Sequence, residues 1–218
     1  LKKDCNFNDN FLKIYKKFCP GPITFILDLK KNSKISKIAT NKKKTLAVRF
    51  PKHKIARRIL KNIKYPLAAP SANISESISP VSKADVLDEF GKKIKFILDG
   101  GRSQIGVEST IISLVNKIEI LRLGGLNISI LEKKLKINLK KNLYGKGKVK
   151  VPGNKRVHYS PGIPIRLNAN DRKEGEAYLL IKKKKDNNKN YFYLSKTNNL
   201  VECSKNLYKT LRKIKKLG

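Results

Sequence analysis

The sequence predicts an open, twisted α/β sheet with flanking helices, followed by part of a small second α/β unit. Two observations carry this reading. Apolar runs of strand length alternate with amphipathic segments of helical period as far as Leu135. Two strand-like runs also end in loops of small and polar residues, where open α/β sheets bind ligands. These loops frame the stretch from Tyr65 to Thr110. In the first, Pro66 and Pro70 hold the backbone extended around Leu67-Ala68-Ala69, and Ser71-Ala72-Asn73 follows. In the second, Phe96-Ile97-Leu98 leads into a flexible loop containing Gly100, Gly101 and Gly106, whose N–H groups can face phosphate oxygens. No Gly-Lys-Ser/Thr ends it, so it is not a Walker A loop. Taken singly, Ser-Ala-Asn also serves as a turn or helix N-cap, and Asp-Gly-Gly as a turn.

In chain order, Asn10–Phe18 reads as a helix end, with Phe11, Leu12, Ile14, Tyr15 and Phe18 on one face, stopped by Cys19-Pro20-Gly21-Pro22. Ile23–Leu29 and Thr45–Pro51 alternate as strands, separated by a polar loop. His53–Ile63 is a basic amphipathic helix with Ile55, Ile59, Leu60 and Ile63 inward. Ser82 caps a helix whose Val86, Leu87 and Phe90 face in. Lys95–Asp99, Ser109–Val115 and Lys117–Leu123 read as strands, and Ser129–Leu135 as a short helix. From Ile137 to Arg156 the pattern fails in favour of Lys, Asn and Gly. Ala177–Ile181 and Tyr191–Leu194 then read as strands, and Leu207–Ile214 as a helix. The expected divisions are 1–136, a linker over 137–174, and a partial α/β domain over 175–218.

The 218 residues carry 51 Lys+Arg against 16 Asp+Glu, a formal charge of +35. Such a field attracts nucleic acid or nucleotides. The lysines are scattered among many Asn and Ile, however, a pattern that AT-rich coding also produces. No apolar run reaches membrane-spanning length, and no signal peptide opens the chain. Cys5, Cys19 and Cys203 are odd in number and lack metal-ligand spacing, which fits reduced thiols of a cytoplasmic protein. The chain has no Met and enters a helix almost at once, so an initial segment is expected to be missing.

Several pieces recur together in order: Pro20-Gly21-Pro22-Ile23-Thr24, Val48-Arg49-Phe50-Pro51, Ala69-Pro70-Ser71-Ala72-Asn73, Ser79-Pro80, Asp99-Gly100-Gly101, Gly106-Val107-Glu108-Ser109-Thr110-Ile111 and Leu121-Arg122. The set resembles the YrdC-like family of threonylcarbamoyl-AMP synthases from about Phe18 to Gly124. His158-Tyr159-Ser160-Pro161 and the helix around Leu207 are similar to the linker and C-terminal domain of the two-domain form. The resemblance implies a mixed sheet and a reaction of L-threonine, bicarbonate and ATP. The products are threonylcarbamoyl-AMP, passed on to the tRNA threonylcarbamoyl transferase machinery for t6A, and pyrophosphate. It implies ATP contacts from Thr24, Ser71, Asn73, Ser79, Arg122 and Tyr159. Arg49, Ser109 and Thr110 would lie on the threonine and carbamate side.

One concave, positive cavity would hold Thr24, Arg49, Ser71, Asn73, Ser109 and Arg122. Catalysis would come from positioning and electrostatics with no protein nucleophile. Mg2+ would accompany ATP, with no metal ligands assigned. Arg49 and Arg122 equally suit surface ion pairs, Glu108 a structural role, and His53 and His158 packing or hydrogen bonding. The segment Val151–Pro161 would act as a lid, with Tyr159 covering the nucleotide. The family's Lys-x-Arg segment is absent, Leu123 replaces a usual Pro, and the second domain stops short at Gly218. The 218 residues alone are therefore expected to be inactive. The alternative is a double-stranded RNA or nucleotide-binding module without catalysis.

Overall fold

The computed structural model describes residues 1–143, 159–184 and 188–217. They fall into two compact units of interleaved chain: Leu1–Pro70 with Glu108–Asn154, and Ser71–Val107 with Lys155–Gly218. Of the expected lid segment Val151–Pro161, residues 151–158, with Arg156 and His158, lie outside the described residues.

The first unit is built on a five-stranded mixed sheet of order β2-β1-β3-β4-β5. Its strands are β1 (Ile23–Asp28), β2 (Thr45–Arg49), β3 (Thr110–Ser113), β4 (Glu119–Arg122) and β5 (Lys140–Lys141). β1 runs antiparallel to β2 and parallel to β3, and β3 is antiparallel to β4. β5 lies inside the stretch read as linker and pairs parallel with β4. Two lysines carry no strand pattern, but buried Leu139 beside them anchors the segment.

Alternation decides the two faces. Ile23, Phe25 and Leu27 of β1 join Val48, Ile112 and Ile120 in the main core. That face is covered by α1 (Asp9–Phe18) through Phe11 and Ile14, and by α4 (Ile128–Leu135) through Leu131. Asn8 caps α1 by accepting the Phe11 N–H at 2.9 Å, and its amide donates to the Leu114 carbonyl at 3.2 Å. The opposite face carries a smaller apolar cluster of Ile26, Ile111 and Leu121.

Two expected strands do not form. Residues 67–69 and 95–99 have no strand assignment, with Leu67 51% exposed and Phe96 and Leu98 87% and 66% exposed. Both runs have strand length, but a strand exists only with a neighbour to complete its ladder, and Pro66 and Pro70 each lack a donor. α2 (Lys54–Asn62) forms where expected, yet its intended inward face is only partly covered and Leu60 is exposed. Leu87 is likewise exposed rather than inward.

In the second unit, α3 (Lys83–Phe90) starts at the Ser82 cap, whose hydroxyl accepts the Asp85 N–H at 3.3 Å. β6 (Tyr178–Lys182) and β7 (Tyr191–Ser195) form a parallel pair packed on α5 (Leu200–Lys215). α5 begins seven residues before the expected Leu207. Asn199 caps it by accepting the Val201 and Glu202 N–H groups, and the apolar Leu200 and Val201 of the first turn are exposed rather than inward.

Candidate functional site

In the first unit the strand register brings four expected site residues to one face. Thr24 pairs with Arg49 across β1–β2 and with Ile111 across β1–β3, and Ile111 pairs with Arg122 across β3–β4. The β3–β4 register shifts between Ile111 and Ile112, so Leu121 is an extra residue on β4. A bulge of this kind re-aims the next side chain. Leu121 packs with Ile26 and Ile111, and the Arg122 guanidinium turns onto Ser109. Its Nε and Nη2 donate to the Ser109 carbonyl at 3.1 and 2.9 Å, and Nη2 lies 3.3 Å from Ser109 Oγ. Ser109 Oγ is 2.7 Å from Thr24 Oγ1.

Arg49 is exposed, yet partial desolvation by its neighbours and the nearby Arg122 charge lower its pKa from the ordinary value. Two guanidinium charges that feel each other raise each other's free energy, and an anion bound on this face would lower it. Paired hydroxyls beside them add hydrogen bonds to that anion.

Thr110 points the other way and is fully buried. Its hydroxyl donates to the Leu126 carbonyl at 3.0 Å and accepts the Leu126 N–H at 3.1 Å. It ties the turn after β4 to the start of β3 and makes no part of the Arg49–Arg122 face. Sequence reasoning missed Gly124 in that turn. A Cβ there would stand 2.3 Å from the Glu108 carbonyl oxygen and 2.6 Å from the Thr110 nitrogen, both backbone atoms. The adjacent Gly125 N–H donates to the same carbonyl at 2.8 Å. Gly124→Ala should destabilise the first unit by about 1–3 kcal/mol and shift Ser109. Denaturant melts with unchanged midpoint would refute this close approach.

In the second unit, Ser71 is exposed. Asn73 instead braces its own turn, its amide donating to the carbonyls of Ile74 at 2.9 Å and Ser77 at 3.0 Å. Its Oδ1 is enclosed without a hydrogen-bond partner. Ser79 is half-buried beside Ile78. Tyr159 stacks on Tyr208 of α5, centroids 5.7 Å apart, in a cluster with Ile78 and Val81. Its face thus serves packing in this arrangement.

Nor is Gly106 part of a free loop: at φ +80° its Cβ position would fall 2.5 Å from Lys205 Cα of α5. Gly101 remains open, its N–H donating to Asp99 Oδ1 at 3.0 Å. Burial pushes the Cys19 thiol up to about 11 and raises Cys5 and Cys203, so none is a ready thiolate nucleophile. Among the described residues no three His, Cys, Asp or Glu side chains cluster to hold a metal, and no helix is long and apolar enough to cross a membrane.

A family model described as telomere recombination, the Sua5/YciO/YrdC family, matches residues 1–124. The chain belongs to this family. A second model, described as threonylcarbamoyl-AMP synthase, C-terminal domain, matches residues 117–218. Among Sua5-family relatives, the threonylcarbamoyl-AMP synthase of Pyrococcus abyssi is 36% identical over 93% of this chain and 64% of that protein. That of Schizosaccharomyces pombe is 35% identical over 79% of this chain and 45% of that protein. The chain thus spans about half to two thirds of these curated relatives. The crystal structure of P. abyssi Sua5 complexed with L-threonine superposes with a TM-score of 0.84 at 32% identity, covering 100% of this chain and 68% of that one. The mixed sheet with flanking helices is therefore the fold of this family.

Proposed function

We propose that the chain forms part of an L-threonylcarbamoyladenylate synthase, a nucleotidyltransferase acting for t6A modification of tRNA. The observation that carries the reading is the Arg49–Arg122 pair beside the Thr24–Ser109 hydroxyls. Such a face suits anions by charge and hydrogen bonding. In the reaction, the threonine nitrogen takes up bicarbonate carbon with loss of water. The carbamate oxygen then attacks the α-phosphorus of ATP, and the bond to pyrophosphate breaks. Positioning and charge stabilisation suffice for such a transfer.

Arg49, Ser109 and Arg122 are assigned to the carboxylate, carbamate and phosphate groups, with Thr24 orienting Ser109. Thr110 holds the β3 start from behind. Ser71 is the exposed hydroxyl for ATP, with Asn73 and Ser79 shaping its turn, and Tyr159 lies against the C-terminal helix. Magnesium enters as part of the substrate, carried on the triphosphate, since the ion is usually held by phosphates and few carboxylates. In functional terms we propose 1–136 as catalytic, 137–174 as a linker whose start adds β5 to the catalytic sheet, and 175–218 as C-terminal. The cytoplasm is the proposed location, supported by three free cysteines.

The full-length protein should release pyrophosphate only when ATP, L-threonine and bicarbonate are all present. Release independent of threonine would overturn the assignment. Ser71→Ala should weaken ATP binding by about 1.5–3 kcal/mol, the worth of a hydrogen bond to a charged group. Unchanged calorimetric affinity would return Ser71 to the turn alone. A second reading, an RNA contact, is favoured by α2, whose Lys54, Arg57, Arg58 and Lys61 are exposed with no acid among its residues. Binding of that origin weakens steeply as salt rises, unlike a specific substrate site.

A further inference from the structure

Within the second unit, a chain of contacts runs from α5 to the Ser71–Asn73 turn. Arg212 Nη2 of α5 lies 3.2 Å from Glu89 Oε2 of α3 and also donates to the Ile78 carbonyl. The two side chains are only 12% and 10% exposed. Glu89 Oε1 accepts the Ile74 N–H at 2.9 Å and meets the Ser77 hydroxyl. The Ser77 and Ile74 carbonyls in turn hold the Asn73 amide. Burial pushes the Glu89 carboxyl up, but the bonds from Ser77, Ile74 and Arg212, with the Arg212 charge, outweigh it and leave it below its ordinary value. A second pair, Lys216 to Asp88 at 2.5 Å, also joins α5 to α3. The α5 backbone further closes over Gly106.

We propose that α5 sets the geometry of the nucleotide turn, with Glu89 and Arg212 as positioning residues. This rests on the reading above that the Ser71 turn binds ATP. Loop residues 74–78 have few apolar anchors apart from Ile78, so polar contacts hold their backbone: the Glu89 carboxylate at Ile74 and Ser77, Arg212 at the Ile78 carbonyl, and the Ser160 N–H donating to the Glu76 carbonyl at 2.9 Å. Glu89 is itself held in place by Arg212. Without that cation its carboxylate would be buried and unpaired, a state that proteins avoid by moving the group outward. Movement of Glu89 releases Ile74 and Ser77, and with them Asn73.

The test compares Arg212→Met, Arg212→Lys and Glu89→Gln in the full-length protein. Calorimetry reads ATP and L-threonine affinity, and hydrogen exchange reads the Ile74 amide. Arg212→Met should weaken ATP binding about tenfold while leaving threonine affinity within about twofold. The Ile74 amide should exchange faster, and Arg212→Lys should recover part of both effects. Should Arg212→Met not fold, Glu89→Gln decides, since it keeps the shape and an acceptor for Ile74 while losing the charge. Unaltered ATP affinity and unaltered Ile74 exchange would overturn the clasp and leave the functional reading standing. Threonine affinity falling in step with ATP would also overturn it, as general loss of structure. A wild-type protein that binds threonine but no ATP would overturn the functional reading, and this proposal with it.

Discussion

Under the proposed function, Arg122→Ala in the full-length protein is expected to lower kcat/KM for threonylcarbamoyl-AMP formation by about 10²–10³-fold, the usual loss when a group aimed at developing charge is removed. The guanidinium is already held, since Nε and Nη2 share the Ser109 carbonyl. Little reorganisation is then needed when negative charge builds on the transferring phosphoryl group. Arg122→Lys should recover little. An ammonium reaching the Ser109 carbonyl has no planar fork to present to an anion at the same time. The melting temperature decides between chemistry and folding. Arg122 is a half-buried side chain at a strand end, so the thermal midpoint should move far less than the rate. Activity within threefold of wild type would remove Arg122 from the site.

Phe11→Ala should destabilise the first unit by about 3–5 kcal/mol, the range for emptying a buried aromatic position. Phe11 is 1% exposed and stands at the centre of an aromatic group. Its ring centroid lies 4.3 Å from that of Phe7, 5.5 Å from Tyr15 and 5.0 Å from Phe25, the last edge-on. Phe25 is fixed in β1, so the cavity cannot close by moving a flexible chain. Denaturant unfolding would show a lower midpoint with an unchanged slope. A loss below about 1 kcal/mol would mean that α1 collapses into the space.

What the sequence made legible follows from how local each signal is. Phe11 and Ile14 at helical spacing behind Asn8, and Phe25 alternating with Thr24, declare their faces within one turn or two residues. Ser82 before α3 is equally local. The strand reading of Leu67–Ala69 and Phe96–Leu98 failed because pairing is decided by a neighbour. Arg49, Thr24, Ser109 and Arg122 were picked out by the family resemblance of their motifs, and the strand register brings them to one face. Thr110 was not recoverable in its actual job, since its partner Leu126 stands 16 residues on. Gly124 was overlooked because close backbone approach leaves no composition signal beyond the glycine itself. The Glu89–Arg212 pair spans 123 residues, and nothing near either end announces it.

The interleaving of the two units has a consequence for biosynthesis. Residues 71–107 leave the ribosome early, yet α5, whose Tyr208 packs with Ile78 and Val81, starts only at Leu200. At about 5–20 residues per second, the nascent loop waits roughly 5–20 s with those apolar residues uncovered.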